Sequence, residues 1–116
     1  MTIKEFYDAI SGNYNEALGR LMKDSLIQHF VLKFANDQSF TELSSNLESG
    51  NTQEAFRAAH TLKGVCMNLA FTKLGNSASE ITELLRADNL EMAKQYFPTV
   101  KEDYELVISC IAKIEA

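Results

Sequence analysis

Apolar residues recur at helical spacing in segment after segment of this chain, and that periodicity restricts the possible folds more than any other feature. Between residues 24 and 36, one helical face carries Leu26, Ile27, Phe30, Val31 and Phe34. The sustained two-residue alternation of a half-buried strand is found nowhere in the sequence. Five glycines and one proline are also too few for a turn-rich β-sandwich. The sequence therefore predicts an all-α protein.

Capping and turn residues divide the chain into helical segments. Thr2 and Glu5 have the spacing of a capping box, Ser39 is expected to cap a later segment, and Thr72 to open another. The predicted segments are 2–10, 15–22, 24–36, 39–50, 52–70, 72–88 and 90–114. Pro98 lies inside the last one, where we expect a kink or a new helix because proline lacks an N–H and clashes with the preceding turn.

Length and loop spacing indicate how these helices pack. A chain of 116 residues fits one domain, and 46% hydrophobic residues are ordinary for a globular protein. Amphipathic helices joined by short loops pack best as antiparallel neighbours. We therefore expect an antiparallel four-helix bundle with an additional short N-terminal helix, folded as a single domain over residues 1–116.

Composition and charge argue against several functional classes. The net charge of −5 is opposite to the basic patch that binds nucleic-acid phosphates. No apolar stretch approaches the ~20 residues of a membrane span, and the polar N-terminus has no apolar signal-peptide core. We expect a cytoplasmic protein that binds neither nucleic acid nor membrane, with Cys66 and Cys110 as free thiols.

Sequence motifs for ATP, metals and cofactors are missing. There is no Gly-x-x-x-x-Gly-Lys-Ser/Thr loop, so we expect neither ATP binding nor autophosphorylation. A zinc site needs about four converging ligands. His60 and Cys66 fall on opposite sides of a helix, while His29 and Cys110 have no ligand residue three or four positions away. We therefore expect no metal and no cofactor, and we interpret His29 as solvated.

The segment 52–70 places one histidine away from the core. Its buried seam repeats in steps of four and three residues and consists of Ala55, Ala59, Leu62, Cys66 and Leu69. At about 100° per residue, His60 lies about 140° from the centre of this seam, Gly64 about 180° and Lys63 about 80°. The imidazole of His60 is thus predicted to point outward or to lie at the edge of the bundle.

The neighbours of His60 favour a site for a negatively charged group, although a lone histidine is usually only solvated. A glycine in the middle of a helix costs roughly 1 kcal/mol relative to alanine, so Gly64 is expected to leave space beside the imidazole. Lys63 lies three residues after His60 and Arg57 three residues before it, which lets either cation reach an anion held there.

The sequence His60-Thr61-Leu62-Lys63-Gly64 resembles the histidine-containing phosphotransfer (HPt) domain of two-component phosphorelays, whose pattern is His-x-Leu-Lys-Gly. Leu69 matches a later apolar position of that pattern. Cys66 stands where the family often has serine, and Ala70 replaces the usual glycine. Both are small residues on the packing side of the motif, so neither change removes chemistry. Because a free-standing HPt protein is little more than such a bundle, the resemblance implies a single HPt domain over residues 1–116.

The resemblance also implies a mechanism and partners. His60 would accept a phosphoryl group from a receiver-domain phosphoaspartate and pass it to another receiver aspartate, with Lys63 stabilising phosphoryl charge and Gly64 giving steric access. The implied partners are response-regulator receiver domains, a hybrid histidine kinase, or both, and Mg²⁺ is expected on the receiver. The chain itself would be a monomeric carrier without kinase activity. A side chain of the following helix is expected to orient the imidazole, and the sequence offers Ser79, Thr82 and Glu83.

Two alternatives stay open at this stage. Phe56, Met67 and Phe71 lie about 100°, 120° and 160° from the seam. Together with Arg57 they are candidates for docking a receiver helix, but Phe56 and Met67 could instead pack against a neighbouring helix, and Phe71 could cover a loop. The alternative function is an adaptor that keeps this fold and is never phosphorylated.

Overall fold

Seven α-helices form within residues 1–115, the part of the chain that the computed structural model describes. They are α1 (Ile3–Ala9), α2 (Tyr14–Leu21), α3 (Asp24–Phe34), α4 (Ser39–Ser49), α5 (Thr52–Asn68), α6 (Thr72–Arg86) and α7 (Leu90–Ile111). Each corresponds to one predicted segment. The prediction of an all-α fold is confirmed.

Helices α4 to α7 form the predicted four-helix bundle. Helix α5 packs between α4 and α6, and α7 contacts both α6 and α4, which closes the bundle. Each short connection contains one left-handed residue, namely Gly50 (φ 77°), Ala70 (φ 59°) or Asp88 (φ 59°). Asn51 and Asn89 then cap α5 and α7, and each side-chain oxygen accepts a backbone N–H at 3.2 Å. Such tight reversals make successive helices antiparallel.

Three helices precede the bundle. Helix α1 is the predicted short N-terminal helix, and it contacts α2, α3 and α7. Its capping box is confirmed: Thr2 Oγ1 accepts the N–H of Glu5 at 3.1 Å, and Glu5 Oε1 accepts the N–H of Thr2 at 2.8 Å. Helices α2 and α3 pack against each other and complete the N-terminal part of the fold.

The structure contradicts the predicted cap at Ser39 and one of the two alternatives at Pro98. Ser39 does not cap α4 but is its first helical residue, and its N–H is accepted at 2.9 Å by Oδ1 of Asp37. Of the two alternatives expected at Pro98, the new helix is excluded, since α7 continues through Pro98 from Leu90 to Ile111, and the kink stays a prediction. Both Pro98 and Lys94 are exposed, so water can replace the N–H that the Lys94 carbonyl loses to the proline.

The core includes the predicted seam of α5. Ala55, Ala59, Leu62 and Cys66 have no exposed surface, and Leu69 is 4% exposed. Both cysteines are free and buried. Burial raises the pKa of the Cys66 thiol, so this side chain packs as a small apolar group. In residues 1–115, no helix combines the length and the apolar character that crossing a membrane requires.

Candidate functional site

The outer face of α5 carries the histidine selected from the sequence. His60 and Gly64 are exposed, while Lys63 is half-buried. The outward orientation follows from the buried seam on the opposite side of the same helix, as the spacing predicted. Asn51 caps this helix, and packing between α4 and α6 holds it in place. The imidazole is therefore presented to solvent from a fixed helix.

The phenyl ring of Phe56 stacks against the His60 imidazole. The two residues are four positions apart on α5, their ring centroids are 5.9 Å apart and their planes differ by 17°. Among the described residues, no protein group forms a hydrogen bond or an ion pair with the imidazole. The ring nitrogens are thus available to an incoming molecule, and the aromatic stack is a specific contact of the ring.

Gly64 leaves the surface beside His60 open. A Cβ atom built at Gly64 would meet no atom within 4 Å, so no packing requirement inside the chain explains the glycine. At Gly12, by contrast, a Cβ would come within 2.8 Å of the Tyr7 ring and 3.0 Å of the Ala70 carbonyl oxygen. Gly12 is therefore required by internal packing, whereas no contact within the described chain requires a glycine at position 64.

Lys63 differs from the arginines around α5 in having no ion pair within residues 1–115. Arg57 pairs with Glu54 on the same helix at 3.2 Å. Arg86, on α6, pairs with Glu83 at 3.2 Å. Lys63 is thus a cation on the His60 helix that no carboxylate of the described chain neutralises, so its charge is available to an anion at the imidazole.

Three of the four docking candidates lie at the surface. Phe56 is half-buried, Met67 is 51% exposed, and the Arg57 side chain is 65% exposed. Met67 also lies over α6, because its sulfur would be 3.5 Å from a Cβ atom built at Gly75. Phe56 and Met67 therefore combine both alternatives left open by the sequence: each packs partly against a neighbour and leaves part of its surface accessible.

Phe71 is the exception, and its place among the docking candidates is wrong. It is 1% exposed, and its ring packs against Phe6, Tyr7 and Phe34 at centroid distances of 5.3–5.8 Å. The predicted outward angle continued the α5 helix to position 71, but α5 ends at Asn68 and the chain reverses before Phe71. Helical angles do not hold beyond that reversal.

No orienting hydrogen bond from α6 to the imidazole is present in the described residues. Thr82 is fully buried, and its hydroxyl donates to the Ala78 carbonyl oxygen at 2.6 Å. Glu83 is exposed and pairs with Arg86. Ser79 is half-buried and forms no hydrogen bond with His60 in this part of the chain. None of the three candidates offered by the sequence is thus bonded to the ring.

Sequence reasoning missed two contributions to this site. The Arg86 guanidinium carbon lies 5.0 Å from the centroid of the Phe56 ring, which links α6 to the aromatic stack. Tyr7 and Arg20 hydrogen-bond to backbone carbonyls at the C-terminal end of α5 from the N-terminal helices. These contacts join residues far apart in the chain, so no local spacing could have indicated them.

Comparison with protein-family models matches the Hpt domain to residues 31–110, which is more than half of the chain. The chain belongs to the Hpt domain family. The Hpt match spans α4, α5, α6 and all of α7 except its last residue, and it leaves out α1, α2 and most of α3. Comparisons with curated proteins and with solved structures gave no match. That residues 1–30 belong to the same Hpt domain stays a prediction.

Membership of the Hpt family gives a general activity. Hpt domains carry phosphoryl groups in two-component systems, where they interact with receiver domains and histidine kinases, and in general they have no kinase activity. The departure at Ala70 now has a structural meaning. Ala70 has φ 59°, a left-handed conformation that glycine adopts without the steric cost of a Cβ atom. A glycine at position 70 would adopt this conformation without that cost.

Proposed function

We propose that His60 is a phosphoacceptor that takes a phosphoryl group from a receiver-domain phosphoaspartate and passes it to another receiver aspartate. The observation that supports this most is the combination of an exposed imidazole, an open backbone position at Gly64 and an unpaired ammonium group at Lys63. Each property is needed for transfer of an anionic group between two proteins. The fold itself requires none of them.

The reaction uses the neutral imidazole as a nucleophile. A ring nitrogen attacks phosphorus, so that an N–P bond forms while the bond from phosphorus to the aspartate oxygen breaks and the carboxylate leaves. In the second step, another receiver carboxylate attacks the phosphorus and the N–P bond breaks. Because both ring nitrogens of His60 lack partners in the described chain, no internal hydrogen bond has to be broken first.

Lys63 and Gly64 contribute charge and space to this transfer. Phosphoryl transfer passes through a loose transition state, so positioning and charge neutralisation provide most of the catalysis. Lys63 stabilises the phosphoryl oxygens, and Gly64 lets the receiver backbone approach the helix. We expect the receiver to hold the Mg²⁺ and most of the catalytic groups, and the chain to bind no cofactor.

The receiver is expected to dock on the exposed face of α5. Phe56, Gly64 and Met67 follow one another along this face around His60, and Arg57 lies at its edge. The accessible parts of Phe56 and Met67 supply apolar contact area on either side of the imidazole. A hybrid histidine kinase would present its own receiver domain to the same face. We expect the carrier to act as a monomer in the cytoplasm.

Incubation with a phosphorylated receiver domain tests this proposal. The chain should gain an acid-labile phosphate that His60→Gln lacks. His29→Gln is the matched control, because His29 is an exposed histidine on α3 and should not affect labelling. Labelling that persists in His60→Gln, or that depends on His29, would contradict the assignment. Receiver binding without labelling would support the adaptor function instead.

A further inference from the structure

The aromatic stack on His60 connects the imidazole to a second helix. Phe56 is half-buried, so its ring is held on one side by the bundle. Its plane is within 17° of the imidazole plane, and the two centroids are 5.9 Å apart. Arg86, in the last turn of α6, places its guanidinium carbon 5.0 Å from the centroid of the same phenyl ring. The three side chains form a continuous series from α6 to the imidazole.

Each contact in this series restricts the motion of the next side chain. Glu83 holds Arg86 through an ion pair of 3.2 Å one turn earlier on α6. A cation close to an aromatic ring is attracted by the electrons of its face, so Arg86 stabilises one orientation of Phe56. A near-parallel phenyl ring four residues before His60 in turn limits the side-chain rotamers open to the imidazole.

In-line attack of an imidazole nitrogen on phosphorus requires that the ring of an exposed histidine be held in one orientation. A hydrogen bond to the second ring nitrogen would be the usual means, but Ser79, Thr82 and Glu83 make none to His60 in the described residues. The stack on Phe56 leaves both nitrogens free while it fixes the plane of the ring.

We propose that Phe56 is a positioning residue for the phosphoacceptor imidazole and that Arg86 acts on the imidazole through the Phe56 ring. This inference rests on the proposed function of His60. It differs from a docking role for Phe56, because positioning affects the reaction even when no receiver is bound.

Phosphoramidate, a small phosphoryl donor, separates positioning from docking. In that reaction an imidazole nitrogen of His60 bonds to phosphorus, the N–P bond of the donor breaks and ammonia leaves. We expect Phe56→Leu to slow this labelling about 3- to 10-fold, the range that corresponds to one aromatic pair. Phe56→Tyr, which keeps the ring, should restore the rate. Phe40→Leu removes a half-buried aromatic that stacks on Tyr104 instead, and it should leave the rate unchanged.

A double-variant comparison tests the role of Arg86. Arg86→Gln should slow labelling by phosphoramidate about 2- to 5-fold, in keeping with a partly exposed cation–aromatic contact. In the Phe56→Leu background the same change should have no further effect, because the ring through which Arg86 acts is gone. Lys101→Gln removes one exposed positive charge from α7 and serves as the charge control. Additive losses from Arg86→Gln and Phe56→Leu would overturn the proposed route.

Nuclear magnetic resonance of the unphosphorylated protein gives a second, independent measurement. Ring protons of His60 should move downfield in Phe56→Leu, because the ring current of the stacked phenyl group is lost. Unchanged His60 signals, or slower labelling with a receiver but not with phosphoramidate, would overturn the positioning role. If the wild-type chain accepted phosphate from neither donor, the proposed function would fail, while the His60 signals would still test the stack.

Discussion

The middle and the C-terminal end of helix α5 are built in opposite ways. In the middle, His60 has no hydrogen-bond partner in the described chain, and the space beside Gly64 is empty. At the end, backbone carbonyls are occupied by groups from elsewhere in the fold. The Tyr7 hydroxyl donates to the Leu69 oxygen at 2.7 Å, and Arg20 donates to the carbonyl of Met67. Helix α5 is thus anchored at its C-terminal end, whereas its middle, where the phosphoryl group is proposed to bind, is exposed and makes no such contacts.

The anchored end also contains a complete helix-termination motif. The N–H of Phe71 donates to the Cys66 oxygen at 2.9 Å, and the N–H of Ala70 donates to the Met67 oxygen at 3.2 Å, as in a Schellman motif. The Ala70 oxygen then accepts the N–H of Asn13 at 2.9 Å. Much of this anchoring comes from α1, α2 and their connection, which lie outside the Hpt family match. The comparison indicates that the N-terminal helices fix the position of the helix that carries His60.

The largest effect is expected when a side chain is added at Gly64, on the open surface beside the imidazole. Gly64→Gln should lower receiver-dependent transfer about 100-fold, since a displacement of about 1 Å at a reacting centre has effects of that size. The free energy of unfolding should not fall, because glutamine favours a helix over glycine by about half a kcal/mol. Receiver titrations and urea unfolding measure the two quantities.

Gly19→Gln is the matched control for Gly64→Gln. Gly19 is an exposed glycine of α2, and a Cβ atom built there also meets nothing within 4 Å. The Gly19→Gln variant should gain helix stability and should transfer phosphoryl groups at the normal rate. Normal transfer by Gly64→Gln, or an equal loss in both variants, would mean that the open space at Gly64 is not used for docking.

The second largest effect is expected at the anchored end, on stability. Tyr7→Phe removes the buried donor to the Leu69 oxygen and should lower the free energy of unfolding by about 1–3 kcal/mol. Burial raises the pKa of the Tyr7 hydroxyl, so it stays protonated and able to donate throughout the neutral range. Urea unfolding should show the lower free energy of unfolding. The rate of phosphoryl transfer should stay normal under conditions in which the protein is folded.

Tyr14→Phe provides the comparison for that loss. The Tyr14 hydroxyl donates to Asp24 Oδ1 at 2.7 Å, but this bond is exposed to solvent, so its removal should cost less than that of Tyr7. Equal costs would show that burial of the Leu69 carbonyl does not matter.

A smaller effect, on the rate of phosphoryl transfer, is expected from removing the ammonium group of Lys63. Lys63→Ala should slow transfer or shorten the lifetime of phosphohistidine about 10-fold, the size of one charge-assisted hydrogen bond. The bundle should remain folded by circular dichroism. Lys63→Arg keeps the charge and should retain most of the rate, and Lys101→Ala controls for loss of a lysine on α7. An unchanged rate and lifetime in Lys63→Ala would count against its role.

Local periodicity predicted those parts of the fold that depend on neighbours in sequence. The α5 seam, the outward direction of His60 and the capping box at Thr2 all involve residues within a few positions of one another. The failed placement of Phe71 came from applying the helical angles of α5 one residue beyond the predicted segment 52–70, past the reversal at the left-handed Ala70. The direction that the chain takes after such a reversal is hard to foresee, because alanine gives no local signal for a left-handed conformation.

Contacts between distant segments could not be predicted in the same way. Tyr7 and Leu69 are 62 positions apart, and Arg20 and Met67 are 47 positions apart. The Phe56 stack was within reach, since an aromatic residue four positions before a histidine on one helix can contact it. The contact between Phe56 and Arg86 could not be predicted, because it depends on how α6 packs against α5.

The smallest expected effect concerns the backbone of the anchored end. A left-handed alanine costs about 1–2 kcal/mol, and glycine loses about 0.5–1 kcal/mol more chain entropy on folding, so Ala70→Gly should raise the free energy of unfolding by about 0.5–1 kcal/mol. Gly50→Ala, at φ 77°, is the reverse change in another left-handed turn and should lower it. Urea midpoints measure both. Destabilisation by Ala70→Gly would mean that the Ala70 methyl group, 3% exposed, contributes more by packing than the turn costs. Transfer should be unaffected in either variant, because neither turn touches the bare surface around His60.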